Sequence, residues 1–467
     1  MVFETVGVVG LGTMGAGIAE VFARAGIRVV GVEADQEALD RGLGHLEAST
    51  GRALEKGRLA AGEREEILSR VTLTTSRDDL RDADLVVEAI PEVMEYKVAL
   101  FTDLDRICKP SAVLATNTSS LRVTALAAAT GRPGRVVGMH FFNPAPVMGL
   151  VEVVGTVVTE PGVVTSVSDL AVRLGKTPVA VGDRAGFVVN RLLLPYLNHA
   201  VTLLDHGVAA RDDIDNAMRL GVGLPMGPFS LLDLIGLDTS YEIMGVLFEE
   251  SRSERHVPSP LLRSYVAAGW LGRKSGRGFY GEPAAESTPE KAAASTVRVE
   301  GSQELAATLA AAGFKDSAEP DVVLRAGEAA LGERVVQVRV TGKVAELSGS
   351  VLTSRQAVLC ARDLLRVAGY TPVPCRRFVI DALLYAHLND AVHMYSSGYA
   401  SIADIDAAMR LGCGYPQGPF ELMESIGLAK VRDGLRALYA EHLSPSFAPA
   451  PLLDQLVTAG LDAFPRA

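Results

Sequence analysis

Cysteine is scarce: the 467 residues hold four, and Cys108, Cys360, Cys375 and Cys413 show neither a CxxC pair nor regular spacing. Neither a disulfide framework nor a zinc site is indicated, no metal is expected, and a reducing cytoplasm fits best. Basic excess is also missing, since 45 Lys and Arg stand against 56 Asp and Glu, a formal net charge of -11. Phosphate backbones are held by clustered Lys and Arg, so a nucleic-acid partner is not expected. No apolar run reaches the roughly 18 residues that a membrane helix needs, so no membrane partner is expected either. The first strand-like run starts at Val6 with no basic region, apolar segment or cleavage site before it, which predicts that the protein is not exported.

What is present is 48% hydrophobic and 22% charged residues, a globular composition in a chain too long for one core. Short apolar runs near 5–10, 27–33, 84–90, 112–116 and 135–140 alternate with amphipathic stretches. That rhythm predicts a parallel sheet wound with helices, an α/β Rossmann-like domain over 1–183. Residues 37–70, rich in Leu, Ala, Glu and Arg, exceed what one crossover helix needs and predict an inserted helical hairpin. From Phe187 the pattern turns helical, and FVVNRLLLPYLNHAVTLLDHG is apolar on all sides, as in a helix buried in a bundle. A mainly α-helical domain is expected over 184–283. Residues 281–296 are small and polar with two prolines, which marks a linker.

The chain also matches itself. DDIDNAMRLGVGLPMGPFSLLDLIGL (212–237) returns as ADIDAAMRLGCGYPQGPFELMESIGL (403–428), an offset of 191 residues. With small gaps, EVVGTVVT (152–159) matches ELSGSVLT (346–353) and RVVGMH (135–140) matches RVVQVR (334–339). Two mainly α-helical C-terminal domains related by duplication are therefore expected, the second over 346–467, with 284–345 as linker and a small mixed α/β segment. The second copy has Arg339 for His140 and Asp381 for Asn190, and the chain ends before a sequence like GRKSGRGFY (272–280) recurs. One active site per chain is expected.

GVVGLGTMGAGIAEVFARAG runs strand, turn, helix and carries Gly10, Gly12 and Gly15 as G-x-G-x-x-G, with Thr13 and Met14 between the last two. The first glycine allows the turn, the second lets the backbone approach a pyrophosphate, and the third packs helix on strand. Glu33 ends the next strand, 21 residues after Gly12, where a carboxylate meets the adenine ribose hydroxyls. A 2′-phosphate at about 4 Å from it would be repelled by about 4 kcal/mol at an effective dielectric near 20, which favours NAD over NADP. In HFFNPAPVMGLVEVV (140–154), His140 is of the residue type suited to moving a hydroxyl proton near neutral pH, and Glu152 follows across a proline-containing turn. A carboxylate on one ring nitrogen fixes the tautomer and stabilises the imidazolium.

NTSSL (117–121), HFFNP (140–144), LVEVV (150–154), GFVVNRLL (186–193) and GRKSGRGFY (272–280), in this order and spacing, resemble the 3-hydroxyacyl-CoA dehydrogenase family over about the first 280 residues. The resemblance implies NAD-dependent, reversible oxidation of a (3S)-3-hydroxyacyl-CoA in a cleft between a dinucleotide-binding and a helical domain. It implies His140 as general base, Glu152 as its orienting carboxylate, and Ser119 and Asn190 as hydrogen-bond partners of the reacting oxygens. Glu92, Lys97 and Asn117 match cofactor-side positions, and Ser49 and Lys56 match contacts to CoA, with Arg52 and Arg58 nearby. The extended length is similar to a bacterial form with two helical domains, for which 3-hydroxybutyryl-CoA and 3-hydroxyadipyl-CoA are the candidate substrates. Shorter members pair through their helical domains, so the chain is expected either as a homo-oligomer or as a monomer whose second copy replaces a partner. Two alternatives stay open: a dehydrogenase of a free hydroxy acid or sugar acid, and an NAD-binding protein without catalysis.

Overall fold

Valine-rich runs in the first 182 residues form one sheet, because β-branched side chains pack well on pleated strands covered on both faces. The computed structural model describes residues 1–281, 296–327 and 331–466. β1 (Thr5–Val9), α1 (Thr13–Arg24) and β2 (Arg28–Val32) open the chain as a parallel β-α-β unit. α2 (Gln36–Glu55) and α3 (Ala61–Ser69) form the hairpin insertion, and β3 (Val71–Thr74) returns to the sheet edge. Asp35 starts α2 by accepting the Ala38 amide at 2.8 Å. The chain continues through β4 (Leu85–Glu88), α4 (Met94–Ile107), β5 (Val113–Thr116), α5 (Val123–Ala128) and β6 (Val136–Phe141). β7 (Leu150–Gly155), α6 (Pro161–Arg173) and β8 (Thr177–Gly182) complete the unit. The strand order is β3-β2-β1-β4-β5-β6-β7-β8, parallel except between β6 and β7. The winding reverses between β1 and β4, and a ligand crevice opens beyond the C-terminal strand ends at such a switch point.

Helices follow: α7 (Val189–Asp205), α8 (Arg211–Asn216) with a π-helical turn at Ala217–Val222, α9 (Pro228–Ile235), α10 (Leu237–Ser251) and α11 (Pro260–Ala267). GRKSGRGFY then folds back onto α9. The Asp233 carboxylate accepts the amides of Phe279 at 2.8 Å and Tyr280 at 2.7 Å, and the Phe279 ring lies 4.8 Å from Phe229. The linker expected over 281–296 lies outside the described residues except for its two end positions.

A second sheet comes next, built from β9 (Val297–Glu300), α12 (Gln303–Ala311), β10 (Val322–Arg325), β11 (Val335–Thr341), β12 (Val344–Gly349), α13 (Arg355–Val367) and β13 (Thr371–Cys375). Its order, β13-β12-β11-β10-β9, with only β11 and β12 antiparallel, repeats β8-β7-β6-β5-β4 of the first sheet in order and direction. The boundary expected at 345/346 therefore falls inside β12. The sequence match strengthens at Glu346, but one hydrogen-bond ladder spans that point and the α/β unit runs on to Cys375.

The second helical unit comprises α14 (Val379–Ser396), α15 (Ile402–Cys413), α16 (Pro419–Ile426), α17 (Leu428–His442) and α18 (Pro451–Thr458). A shortened counterpart of GRKSGRGFY does recur, contrary to the expectation from sequence. Glu424, at the 191-residue offset from Asp233, accepts the Phe464 amide at 3.0 Å, and the Phe464 ring lies 4.7 Å from Phe420. One backbone amide and one ring suffice for this clamp, too little sequence for a motif comparison to register. The two helical units meet along α7 and α14, where Tyr196 and His387, equivalent at the same offset, have ring centroids 5.3 Å apart. Contact between equivalent residues marks a local two-fold axis. Arg255 crosses this interface to the Ser446 carbonyl at 2.6 Å and pairs with Asp390. Among the described residues no helix is long and apolar enough to cross a membrane.

Candidate active site

Antiparallel pairing of β6 with β7 sets His140 directly opposite Glu152. Facing residues on adjacent strands project to the same side, so the twelve-residue separation becomes a contact. His140 Nδ1 lies 2.7 Å from Glu152 Oε2, and both side chains are buried. The other carboxylate oxygen, Oε1, accepts the amides of Val188 at 2.9 Å and Val189 at 3.0 Å. Both oxygens are thereby committed, and the ring nitrogen left for chemistry is Nε2. The imidazole rests between Phe142 and Phe187, with centroids at 4.5 and 5.7 Å.

Phe187 adopts φ 47°, a left-handed conformation that strains a bulky residue by about 1–3 kcal/mol. It follows Gly186 at φ 73°, and the pair bends the chain so that two successive amides aim at Glu152. At the equivalent point of the second half, Phe378 has an ordinary φ of -63°. The strain accompanies the half that holds the histidine.

His140 lines a cavity of about 390 Å³ that also contains Ser119, Asn190, Asn117, Glu92 and Lys97. Asn190 Nδ2 is 3.5 Å from the Ser119 carbonyl, and Asn117 Oδ1 accepts the Phe141 amide at 2.8 Å, tying the β5 end to the β6 end. Glu92 accepts from Thr118 Oγ1 at 2.5 Å and from the Ser119 amide at 3.0 Å. Burial works to raise its pKa, but the Lys97 ammonium at 3.1 Å and these hydrogen bonds outweigh it and hold the carboxyl below the usual range.

Lys97 is itself held by Glu88 at 2.6 Å, both fully buried, and Glu88 takes a further bond from Thr116 Oγ1 at 2.6 Å. Sequence reasoning missed Glu88, as it missed Phe142, Phe187 and the Val188 and Val189 amides. The signal for Glu88 was its place at the C-terminal end of a strand beside the switch point, nine residues before Lys97.

At the glycine-rich turn, Gly10 has φ 88°, and a side chain on Gly15 would put Cβ 1.7 Å from the Gly10 carbonyl oxygen. A Cβ on Gly12 would meet nothing within 4 Å. Gly12 thus leaves open space at the N-terminus of α1, where Thr13 begins the helix and no side chain caps the first amides. An anionic pyrophosphate fits such a cradle, and NAD is the cofactor of this fold. Glu33 stands beside the turn, accepting the Leu11 amide at 2.5 Å, and Met14 reaches the cavity. Ser49 and Lys56 stand elsewhere, on the hairpin insertion at α2 and its end, outside the cavity with His140.

A family model described as 3-hydroxyacyl-CoA dehydrogenase, NAD binding domain, matches residues 5–184. One described as 3-hydroxyacyl-CoA dehydrogenase, C-terminal domain, matches twice, at 186–282 and at 378–462. The chain belongs to the 3-hydroxyacyl-CoA dehydrogenase family. Among its relatives, the 3-hydroxyadipyl-CoA dehydrogenase of Escherichia coli is 36% identical over 97% of this chain and 97% of its own length. The 3-hydroxybutyryl-CoA dehydrogenase of Mycobacterium tuberculosis is 46% identical over 59% of this chain and 98% of its own length. A solved structure of 3-hydroxybutyryl-CoA dehydrogenase from Escherichia coli covers 98% of this chain and is itself covered completely, with a TM-score of 0.85 at 34% identity. The family therefore includes both shorter members that match the first half alone and members that match this chain throughout.

Proposed function

We propose that this chain catalyses the reversible NAD-dependent oxidation of (3S)-3-hydroxyacyl-CoA to 3-oxoacyl-CoA, with His140 as general acid/base oriented by Glu152. The observation that carries the reading is the 2.7 Å contact between His140 Nδ1 and Glu152 Oε2 in a cavity shared with Ser119 and Asn190. Bound NAD supplies the hydride acceptor. In the oxidative direction the hydroxyl proton passes to His140 Nε2, and the imidazolium so formed is stabilised by the Glu152 carboxylate. Ser119 and Asn190 hold the reacting oxygen, and Phe142 and Phe187 keep the ring from rotating and exclude water. Gly10, Gly12, Gly15, Thr13 and Met14 cradle the cofactor, Glu33 takes its adenine ribose, and Asn117, Glu92 and Lys97 line its nicotinamide side. Ser49 and Lys56 contact CoA.

A short, uncharged acyl chain suits this cavity better than one ending in a carboxylate. Ile90, Ile235 and Ile243 line it, and its cation, Lys97, is already taken by Glu88 and Glu92. Initial rates of NADH oxidation with acetoacetyl-CoA, 3-oxoadipyl-CoA and free acetoacetate test the reading. Turnover highest with acetoacetyl-CoA and negligible with the free acid is expected. Equal use of the free acid would overturn the thioester assignment, and preference for 3-oxoadipyl-CoA would overturn the chain-end assignment alone.

The second helical unit arose by duplication and does for the first what a partner subunit does in a dimer. The Tyr196–His387 contact between equivalent residues supports this. A monomer in solution is expected by light scattering; an obligate dimer joined through α7 would overturn it.

A further inference from the structure

The catalytic cavity has a counterpart in the second half of the chain. Arg339, Asp381, Ile426, Lys430 and Gly434 line a cavity of about 420 Å³. They stand where the first half has His140, Asn190, Ile235, Thr239 and Ile243, all of which line the cavity of about 390 Å³. The counterpart keeps its volume although its chemistry is gone. Glycine occupies the position of Ile243, and the Tyr385 ring lies against it: a Cβ on Gly434 would stand 2.3 Å from that ring.

At three of these positions Arg339, Asp381 and Lys430 bring ionic side chains in place of His140, Asn190 and Thr239. Arg339 donates to Asp381 and lies 4.1 Å over the Phe378 ring, a contact that uses one guanidinium nitrogen and leaves further donors. Lys430 is exposed and has no ion-pair partner among the described residues. Beneath them Glu346, fully buried opposite Arg339, gives Oε1 to the amides of Val379 and Ile380, as Glu152 does with Val188 and Val189. Its Oε2, whose counterpart takes the histidine, has no hydrogen-bond partner. Burial pushes the Glu346 carboxyl up to about 7, so near neutral pH it is only partly ionised. The other wall is apolar, with Ile380 and Leu384 beside Ile426.

We infer that this second cavity binds a small organic carboxylate, its charged end held by Arg339 and Lys430 and its carbon chain laid on Ile380, Leu384 and Ile426. An exposed ammonium and the spare donors of a guanidinium, next to an apolar wall, match the two ends of such a molecule. No histidine faces the bound group, so it is held and not turned over. The catalytic assignment is independent of this site.

Calorimetric titration of hexanoate into the full chain tests it, with the catalytic cavity occupied by acetoacetyl-CoA and NAD. Binding is expected to persist under that load and to weaken about tenfold in Lys430→Ala, a surface change that leaves folding intact. It should vanish in the double variant Arg339→Gln/Asp381→Asn, which removes the ion pair without leaving an unpaired charge. Four results overturn the proposal: no binding at millimolar hexanoate, displacement of hexanoate by acetoacetyl-CoA, equal binding by Lys430→Ala, or inorganic phosphate binding as tightly as hexanoate. The last would mean a bare cationic patch with no use for the apolar wall.

Discussion

Gly412, at the end of α15 in the second helical unit, is packed against Val189, the first residue of α7 in the first: a Cβ on Gly412 would stand 2.9 Å from Val189 Cγ2. The same carbon would be 3.0 Å from Leu150 and 3.6 Å from Phe142. Val189 gives its amide to Glu152, and the Phe142 ring packs against His140 at a tilt of 56°. The second half of the chain thus braces the histidine–carboxylate pair of the first. The brace is reciprocal, since Gly221 meets Ile380 at 2.8 Å by the same measure.

Gly412→Val is therefore expected to lower kcat with acetoacetyl-CoA by about tenfold or more, because displacements well under 1 Å at an acid–base pair are costly. KM for NADH should stay unchanged, as the glycine-rich turn is not touched. Gly412→Ala should be milder. Steady-state kinetics check both, and an unchanged kcat in the valine variant would show that the second half is not a brace.

His140→Gln keeps a hydrogen-bonding side chain but cannot carry the proton. Turnover should fall by about 10²- to 10⁴-fold, the usual range for general acid/base assistance. NADH affinity, followed by nucleotide fluorescence, should be retained. Full turnover in this variant would remove His140 from the chemistry.

Much of this arrangement was legible in the sequence, and what was not has a physical reason. Gly10, Gly12, Gly15 and Glu33 announce their place because each sits at a fixed offset within a single β-α-β unit. His140 and Glu152 were legible as a motif, and the antiparallel turn between their strands explains why twelve intervening residues bring them together. Glu88 carried a signal in its place at a strand end beside the switch point, but Phe142 and Phe187 were not legible. Their roles come from packing between separate segments, and a phenylalanine beside a strand or helix end has no distinctive local pattern. A small mixed α/β segment was expected before the second helical unit, but its repetition of half of the first sheet was hidden: strand order and direction are kept in β9–β13 while the glycine-rich turn that would advertise them is absent.

The glycines of the turn should separate in their effects. In Gly15→Ala the new Cβ meets the Gly10 carbonyl oxygen at 1.7 Å, so the first β-α-β unit must distort and a clear drop in Tm is expected. In Gly12→Ala the methyl enters free space, so Tm should hold while NADH affinity falls, because that space is where the pyrophosphate approaches. Thermal melts with and without NADH distinguish them. Gly12→Ala binding NADH normally would mean the pyrophosphate lies elsewhere.

At the local two-fold axis, burial pushes the pKa of His387 down to about 4; the Leu192 carbonyl offsets this in part and the Arg255 charge adds to it. In the unfolded chain the same ring has its ordinary value near 6.5. As pH falls below about 6.5 the unfolded chain takes up this proton before the folded one does, so wild-type stability declines until the pH passes the folded pKa near 4. His387→Phe keeps a ring beside Tyr196 and removes the titration. The stability of the variant relative to wild type should therefore rise as pH falls from 7 to 4, on the order of 1 kcal/mol per pH unit below 6.5. All other titrating groups are common to both proteins, so the difference between their denaturant midpoints isolates this ring. A difference that stays flat across the range would mean that His387 keeps its ordinary pKa and that the interface between the two halves admits water.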